Sequence, residues 1–179
     1  MVRWQKPNEG LILPCHFIPI AEKSDLIVKI GEWVLRETCR QGRQWLDAGL
    51  PPIRLAVNIS SKQLKTIDLN ALLNAVLNYT GFPSELLGLE LTESNLMEHD
   101  TKTISILNSL RTLGVQLAID NFGTGYSSLA YLKHFSVDIL KIDRSFISDI
   151  PHNQDDMEIA STILAMEYIL GFKVLAGRR

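Results

Sequence analysis

Hydrophobic positions alternate between helical spacing and short, nearly continuous apolar runs from residue 24 onward. Apolar residues three and four positions apart are typical of one helix face, whereas unbroken runs of about four to eight are typical of buried strands. The two patterns follow each other in units of about 30 residues, a length typical of strand–helix–strand repeats. The pattern therefore predicts alternating α and β elements.

The predicted strands cover residues 53–59, 87–92, 115–119, 137–142 and 172–176. The predicted helices are one capped by Ser24 and ending near Gly49, one with core positions from Leu69 to Leu77, one from Asp100 to Leu113, and two over 127–134 and 155–171. Apolar strands linked by helices are typical of parallel sheets buried on both faces. The fold is thus predicted to be an α/β barrel or a doubly wound sheet.

Polar residues recur where the predicted strands finish, namely Asn58, Glu90, Asp120 and Lys141. If the strands are parallel, their carboxyl ends lie on one rim, which holds the active site in a (β/α)₈ barrel. Each residue alone is also explained by a local capping or turn role. Together, an amide, two carboxylates and an ammonium favour Mg²⁺ or Mn²⁺ beside a phosphate ester.

The segment 120–128 leaves this rim and carries Gly123 and Gly125. Two glycines alone are a weak signal, because they serve either a tight turn or a mobile substrate loop. The sequence leaves both interpretations open.

Composition narrows the class of protein. With 179 residues, 46% hydrophobic and 21% charged, the chain is predicted to form one domain over residues 1–179. A net charge of −2 argues against a polymeric nucleic-acid partner. The positions of Cys15 and Cys39 suggest neither a disulfide framework nor a zinc site. Apolar runs fall short of the roughly 18 residues of a membrane segment, so a cytoplasmic protein is expected.

Six ordered segments together resemble the EAL family of cyclic-di-GMP phosphodiesterase domains. They are Val2-Arg3-Trp4, residues 17–22, Val57-Asn58-Ile59-Ser60, residues 90–94, residues 120–129 and residues 140–146. The resemblance implies a TIM-like (β/α) barrel, which is expected to be incomplete because about five of eight parallel strands are present. Residues 1–179 would then form a single partial EAL domain.

The resemblance also implies that the rim binds cyclic-di-GMP and, in active members, two Mg²⁺ or Mn²⁺ ions that support hydrolysis to linear pGpG. By position, Asn58, Glu90 and Asp120 resemble metal ligands, and Lys141 and Asp120 resemble the catalytic residues. Arg3 and Asp143 resemble substrate-binding residues, although a salt bridge would explain Asp143 equally well. Glu93 resembles the residue that anchors the loop beginning at Asp120.

Three departures from the family pattern predict little or no turnover. Asn121 replaces the second of two aspartates, so the second metal should be bound more weakly. The Glu-Ala-Leu signature is expected immediately before Val2, and a further glutamate is expected after Ala176, where the chain reads Gly177-Arg178-Arg179. Both metal sites are therefore expected to be weakened.

Two alternatives remain open. The chain could be an active phosphodiesterase if the missing ends are supplied, or a non-enzymatic module that binds cyclic-di-GMP or a protein partner. Unpaired strand edges favour self-association, and the resemblance makes a homodimer possible.

Overall fold

A computed structural model of the protein describes residues 2–96, 101–124, 132, 135 and 137–176. Its strands are β1 (Trp4–Lys6), β2 (Gly10–Ile12), β3 (Leu55–Ile59), β4 (Leu87–Thr92), β5 (Gln116–Phe122), β6 (Ile139–Ile142) and β7 (Lys173–Ala176). Its helices are α1 (Pro14–Glu22), α2 (Leu26–Asp47), α3 (Ser61–Thr66), α4 (Leu69–Thr80), α5 (Glu93–Leu96), α6 (Thr101–Thr112) and α7 (Gln154–Leu170).

Five of the strands form one parallel sheet in the order β3-β4-β5-β6-β7, while β1 and β2 pair as a separate antiparallel hairpin. Strand order in the sheet is the same as strand order in the chain. A doubly wound sheet instead reverses its strand order at a switch point. The topology therefore decides between the two predicted architectures in favour of a barrel wall.

The two faces of the sheet differ in burial. In β4, Leu87, Leu89 and Leu91 are at most 1% exposed, whereas Gly88, Glu90 and Thr92 between them are half-buried. Successive side chains of a strand point to opposite faces. The leucine face packs against the helices in one core, which includes Leu35, Leu73, Leu107 and Ile163. We call the other face, which carries Asn58, Glu90, Asp120 and Lys141, the open face.

The apolar runs predicted that the strands are buried on both faces of the sheet. This prediction is wrong for the open face. Other details also differ from the prediction. Ile53 is 50% exposed and β3 begins only at Leu55, after Pro51 and Pro52, which cannot donate to a ladder. Leu26 and Ile159, apolar residues within the helices predicted after Ser24 and over 155–171, are 53% and 38% exposed.

Several local elements were not predicted, namely the β1–β2 hairpin and helices α1 and α3. Asp25, not Ser24, is the residue before α2. Asp100 and the predicted helix 127–134 lie outside the described residues, apart from Leu132. Short elements escape a periodicity argument because they contain too few turns to establish a period.

Cys15 and Cys39 are both free. Cys39 is completely buried in α2, and burial raises the pKa of its thiol to about 11. A thiol with this pKa stays neutral at physiological pH and packs as a small apolar side chain.

Gly42 is a point of close approach between α2 and the neighbouring side chains of Phe82 and Leu55. A Cβ atom at Gly42 would lie 2.5 Å from Phe82 Cε2 and 2.8 Å from Leu55 Cδ1. We expect Gly42→Ala to lower the free energy of unfolding by about 1–2 kcal/mol, because overpacking outweighs the gain in helix propensity. Urea denaturation followed by circular dichroism measures this change.

Gly88→Ala is the matched control, since its Cβ atom would meet Ala56 Cβ at 3.6 Å, an ordinary contact. We expect it to change the free energy of unfolding by less than about 0.5 kcal/mol. Equal stabilities for the two variants would contradict the packing assigned to Gly42.

Candidate functional site

The register of the sheet brings together the four polar residues predicted at the strand ends. Asn58 of β3 pairs in register with Glu90 of β4. Asp120 of β5 pairs with Thr92, which lies two residues beyond Glu90. Residues offset by two positions on neighbouring strands have side chains on the same face of the sheet. These three oxygen-bearing side chains therefore lie near one end of the open face.

Lys141 joins this group through an ion pair with Glu90. Its Nζ contacts Glu90 Oε1, and the two side chains are 24% and 12% exposed. The pair crosses over β5, where Ala118 lies in register with Glu90. Because alanine has a short side chain, it leaves room above β5 for the lysine to reach the carboxylate. The sequence offered no signal for this role of Ala118.

An irregularity in β5 separates Asp120 from Phe122. The register between β5 and β6 shifts between Ile119 and Phe122, and Asn121 has a φ of 56°, in the left-handed region. Asparagine tolerates this conformation better than most residues. A bulge of this kind re-aims successive side chains, and bulges are common beside functional sites.

Gly123, which follows this bulge, is held by two other segments of the rim. Its N–H donates to Glu93 Oε2 at 3.0 Å, and the Glu93 side chain is buried. Its φ is 99°, and a Cβ atom there would lie 2.8 Å from Phe146 Cε2. The start of the loop is therefore fixed at Gly123, although Gly125 and residues 126–128 lie outside the described residues.

Asp143 follows β6 and caps a short 3₁₀ turn, Arg144–Phe146. Its Oδ1 accepts hydrogen bonds from Ser145 N at 2.8 Å and from Ser145 Oγ at 2.7 Å. Its own N–H donates to the Phe122 carbonyl at 3.1 Å. These contacts give Asp143 a structural role at the rim, and its substrate-binding role remains a prediction.

Arg3 is not one of the residues that the sheet register brings together. It is exposed on the segment before the β1–β2 hairpin, and its Nη1 donates to the Val2 carbonyl at 3.1 Å. Its predicted contact with substrate phosphate therefore remains a prediction.

The side chains on the open face carry oxygen donors of the types that bind a hard divalent cation. Glu90 and Asp120 supply carboxylate oxygens and Asn58 supplies an amide oxygen, which are the ligand types that Mg²⁺ and Mn²⁺ prefer. Within the described part of the chain, no three His, Cys, Asp or Glu side chains form a metal-binding cluster. Asn58, Glu90 and Asp120 together offer one amide and two carboxylates, which is a partial set of oxygen ligands for such a cation.

The profile of the EAL domain family matches residues 1–178. The chain belongs to the EAL domain family. The resemblance seen in the sequence is thereby confirmed, and with it the TIM-like α/β fold.

This EAL domain is similar to parts of longer proteins. It is 47% identical over 177 residues to the bifunctional diguanylate cyclase/cyclic di-GMP phosphodiesterase MucR of Pseudomonas aeruginosa, covering 98% of this chain and 26% of that protein. It is also 47% identical over 176 residues to the cyclic di-GMP phosphodiesterase NbdA of the same organism, covering 98% of this chain and 22% of that protein. This chain thus spans about a quarter of the length of these relatives.

A solved structure of the PaMucR phosphodiesterase in complex with c-di-GMP is similar to this chain, with a TM-score of 0.92 and 45% identity. The match covers 99% of this chain and 72% of that chain. None of the helices in the described part of the EAL domain is long and apolar enough to cross a membrane.

Sequence reasoning missed three features that support the site: the small side chain of Ala118, the contact of Gly123 with Phe146, and a capping box formed by Ser60 and Gln63. The last had a local signal, since a serine followed three residues later by glutamine is a known helix start. The other two depend on residues that are far apart in the chain.

Proposed function

We propose that the open face of this EAL domain binds cyclic-di-GMP together with a divalent cation held by Asn58, Glu90 and Asp120. The observation that carries this proposal is the register of β3, β4 and β5, which places three oxygen donors at one end of the open face. The similarity to a phosphodiesterase solved with c-di-GMP supports the choice of ligand.

Each remaining residue has a role in this proposal. Mg²⁺ or Mn²⁺ bound there would polarise a phosphate oxygen and supply an activated water. Lys141 holds positive charge beside the phosphate, and Glu90 keeps that ammonium on the open face through their ion pair. Glu93 fixes the loop by accepting the Gly123 N–H.

Arg3 and Asp143 are proposed to contact the ligand. A guanidinium can bind two phosphate oxygens at once. Asp143 lies at the end of β6, directly after the strand that carries Lys141.

We further propose that the 179-residue chain binds cyclic-di-GMP but hydrolyses it only slowly. Asn121 supports this part of the proposal, because its amide brings no negative charge to a second cation and charge count sets affinity for hard cations. The relatives named as phosphodiesterases make hydrolysis to linear pGpG the reaction to test.

Isothermal titration calorimetry with cyclic-di-GMP, first in Ca²⁺ and then in Mg²⁺, tests both parts. Chromatography of the Mg²⁺ samples then measures pGpG. We expect heat of binding in Ca²⁺ and slow formation of pGpG in Mg²⁺. Absence of any heat would overturn the binding proposal, whereas rapid formation of pGpG would overturn the proposal of slow turnover.

Asn121→Asp is expected to raise the Mg²⁺-dependent rate of pGpG formation by about tenfold, the effect of roughly 1.4 kcal/mol on the barrier. The added carboxylate supplies the missing charge, and aspartate tolerates the left-handed conformation that Asn121 adopts. Initial rates at several Mg²⁺ concentrations measure the change.

Asn8→Asp is a matched control, because Asn8 also has a positive φ, of 66°, but lies in the β1–β2 hairpin. We expect its pGpG rate to equal that of the wild type. An equal rate increase in both variants would show that overall charge, and not a charge beside Asp120, is responsible.

A further inference from the structure

The turn directly after Asn58 is closed by a reciprocal pair of side chains. Ser60 is the N-cap of α3, and its Oγ accepts the Gln63 N–H at 3.3 Å. Gln63 Oε1 accepts both the Ser60 N–H at 3.1 Å and the Ser60 hydroxyl at 3.0 Å. This capping box fixes the backbone where the chain leaves β3 and enters α3.

Gln63 is also locked against α2. Its side chain is 1% exposed and lies over Gly31, where a Cβ atom would be 2.1 Å from Gln63 Nε2 and 2.5 Å from Gln63 Cδ. A glycine at position 31 is therefore required for the glutamine to occupy this place. A second link is the ion pair of Lys62 in α3 with Asp25, the residue before α2, at 2.8 Å.

One atom of this arrangement is unfavourable for stability. Gln63 Nε2 is buried and makes no hydrogen bond within the described structure. Burying an unpartnered polar group costs free energy that an apolar side chain of similar length would not. A role in addition to helix capping would explain why a glutamine is kept at this cost, and its partner Ser60 lies only two residues beyond Asn58.

We propose that Gln63, seated on Gly31, is a positioning residue for Asn58. Through Ser60 it fixes the end of β3, and so fixes the Asn58 side chain beside Glu90, its register partner. The inference deepens the proposed function and rests on it for its effect on ligand binding. Its effect on the position of Asn58 can be measured without any ligand.

Gln63→Met tests the inference, because methionine keeps the side-chain length but removes the acceptor for Ser60. In ¹⁵N-labelled protein we expect the Asn58 side-chain amide resonance, assigned by its loss in Asn58→Asp, to shift or broaden. Affinity for cyclic-di-GMP in Ca²⁺ is expected to fall by about tenfold, as for other residues that orient metal ligands. Ser60→Ala, which removes part of the same capping box, is expected to shift or broaden the same resonance. It provides an independent test if Gln63→Met does not fold.

Gln63→Glu keeps an acceptor for the Ser60 N–H and hydroxyl. We therefore expect its Asn58 resonance and its affinity for cyclic-di-GMP to match those of the wild type, whatever its melting temperature. Asn153→Ala is the control for lost capping, since Asn153 Oδ1 accepts the N–H groups of Asp155 and Asp156 in α7. We expect that control to lower the melting temperature by about 2–4 °C without moving the Asn58 resonance.

An Asn58 resonance that is unchanged in Gln63→Met, or that moves equally in Asn153→Ala, would overturn the inference. If the resonance moves in Gln63→Met and Ser60→Ala but not in Asn153→Ala, while the wild type binds no cyclic-di-GMP, the positioning role stands and the proposed function fails.

Discussion

Glu90→Gln is expected to lower the affinity of this EAL domain for cyclic-di-GMP, measured in Ca²⁺, by about a hundredfold. The substitution removes a carboxylate from the proposed ligand set of three. It also leaves the ammonium of Lys141 half-buried without the partner that the structure gives it. Isothermal titration calorimetry measures the affinity, and circular dichroism verifies the fold.

Glu85→Gln is the matched control, because Glu85 is an exposed carboxylate in the 3₁₀ turn before the same strand, β4. We expect it to bind as the wild type does. Lys141→Met adds a second comparison, since it removes the ion pair but keeps the Glu90 carboxylate. If Glu90→Gln bound cyclic-di-GMP as tightly as the wild type, Glu90 would not be part of the binding site.

Gly123→Ala is expected to lower the free energy of unfolding by about 2–4 kcal/mol. One part of this effect is the cost of a positive φ for alanine, and the other is overlap of the new methyl group with the Phe146 ring. Displacement of Gly123 also weakens the hydrogen bond to Glu93, so affinity for cyclic-di-GMP should fall as well. Urea denaturation and calorimetry measure the two effects separately.

Gly81→Ala isolates the backbone part, because Gly81 has a φ of 65° but the nearest atom to its Cβ would be Arg43 Cδ at 4.0 Å. We expect that variant to lose about 1 kcal/mol. Phe146→Leu in the Gly123→Ala background should recover part of the remaining loss. Equal losses in Gly81→Ala and Gly123→Ala would show that the loop does not pack on Phe146.

Local patterns in the sequence predicted much of the fold. Strands β4 to β7 lie close to their predicted positions because each is an apolar run with a clear beginning and end. Helices such as α4 and α6 follow the 3.6-residue spacing of their core residues. The short elements, and the beginning of β3 after Pro52, were missed because a few residues do not establish a period.

The polar residues at the strand ends, and their meeting on one rim if the strands are parallel, were predicted from the sequence, whereas their functional roles remain predictions. Asn58, Glu90, Asp120 and Lys141 stand out as polar residues that follow apolar strands. Which of them are in contact depends on the strand order. Lys141 and Glu90, for example, form an ion pair although they are 51 positions apart in the chain. The contact between Glu93 and Gly123 joins residues 30 positions apart.

The sequence by itself determined the alternation of strands and helices, the family, and the residue types available for metal and phosphate chemistry. These follow from interactions within a few residues of chain and from motifs that stand in order. Only the tertiary structure decided that strand order follows chain order, that Ala118 leaves room for the ion pair, and that Gly31 admits Gln63. Such features arise because register and close packing join side chains that no local pattern relates.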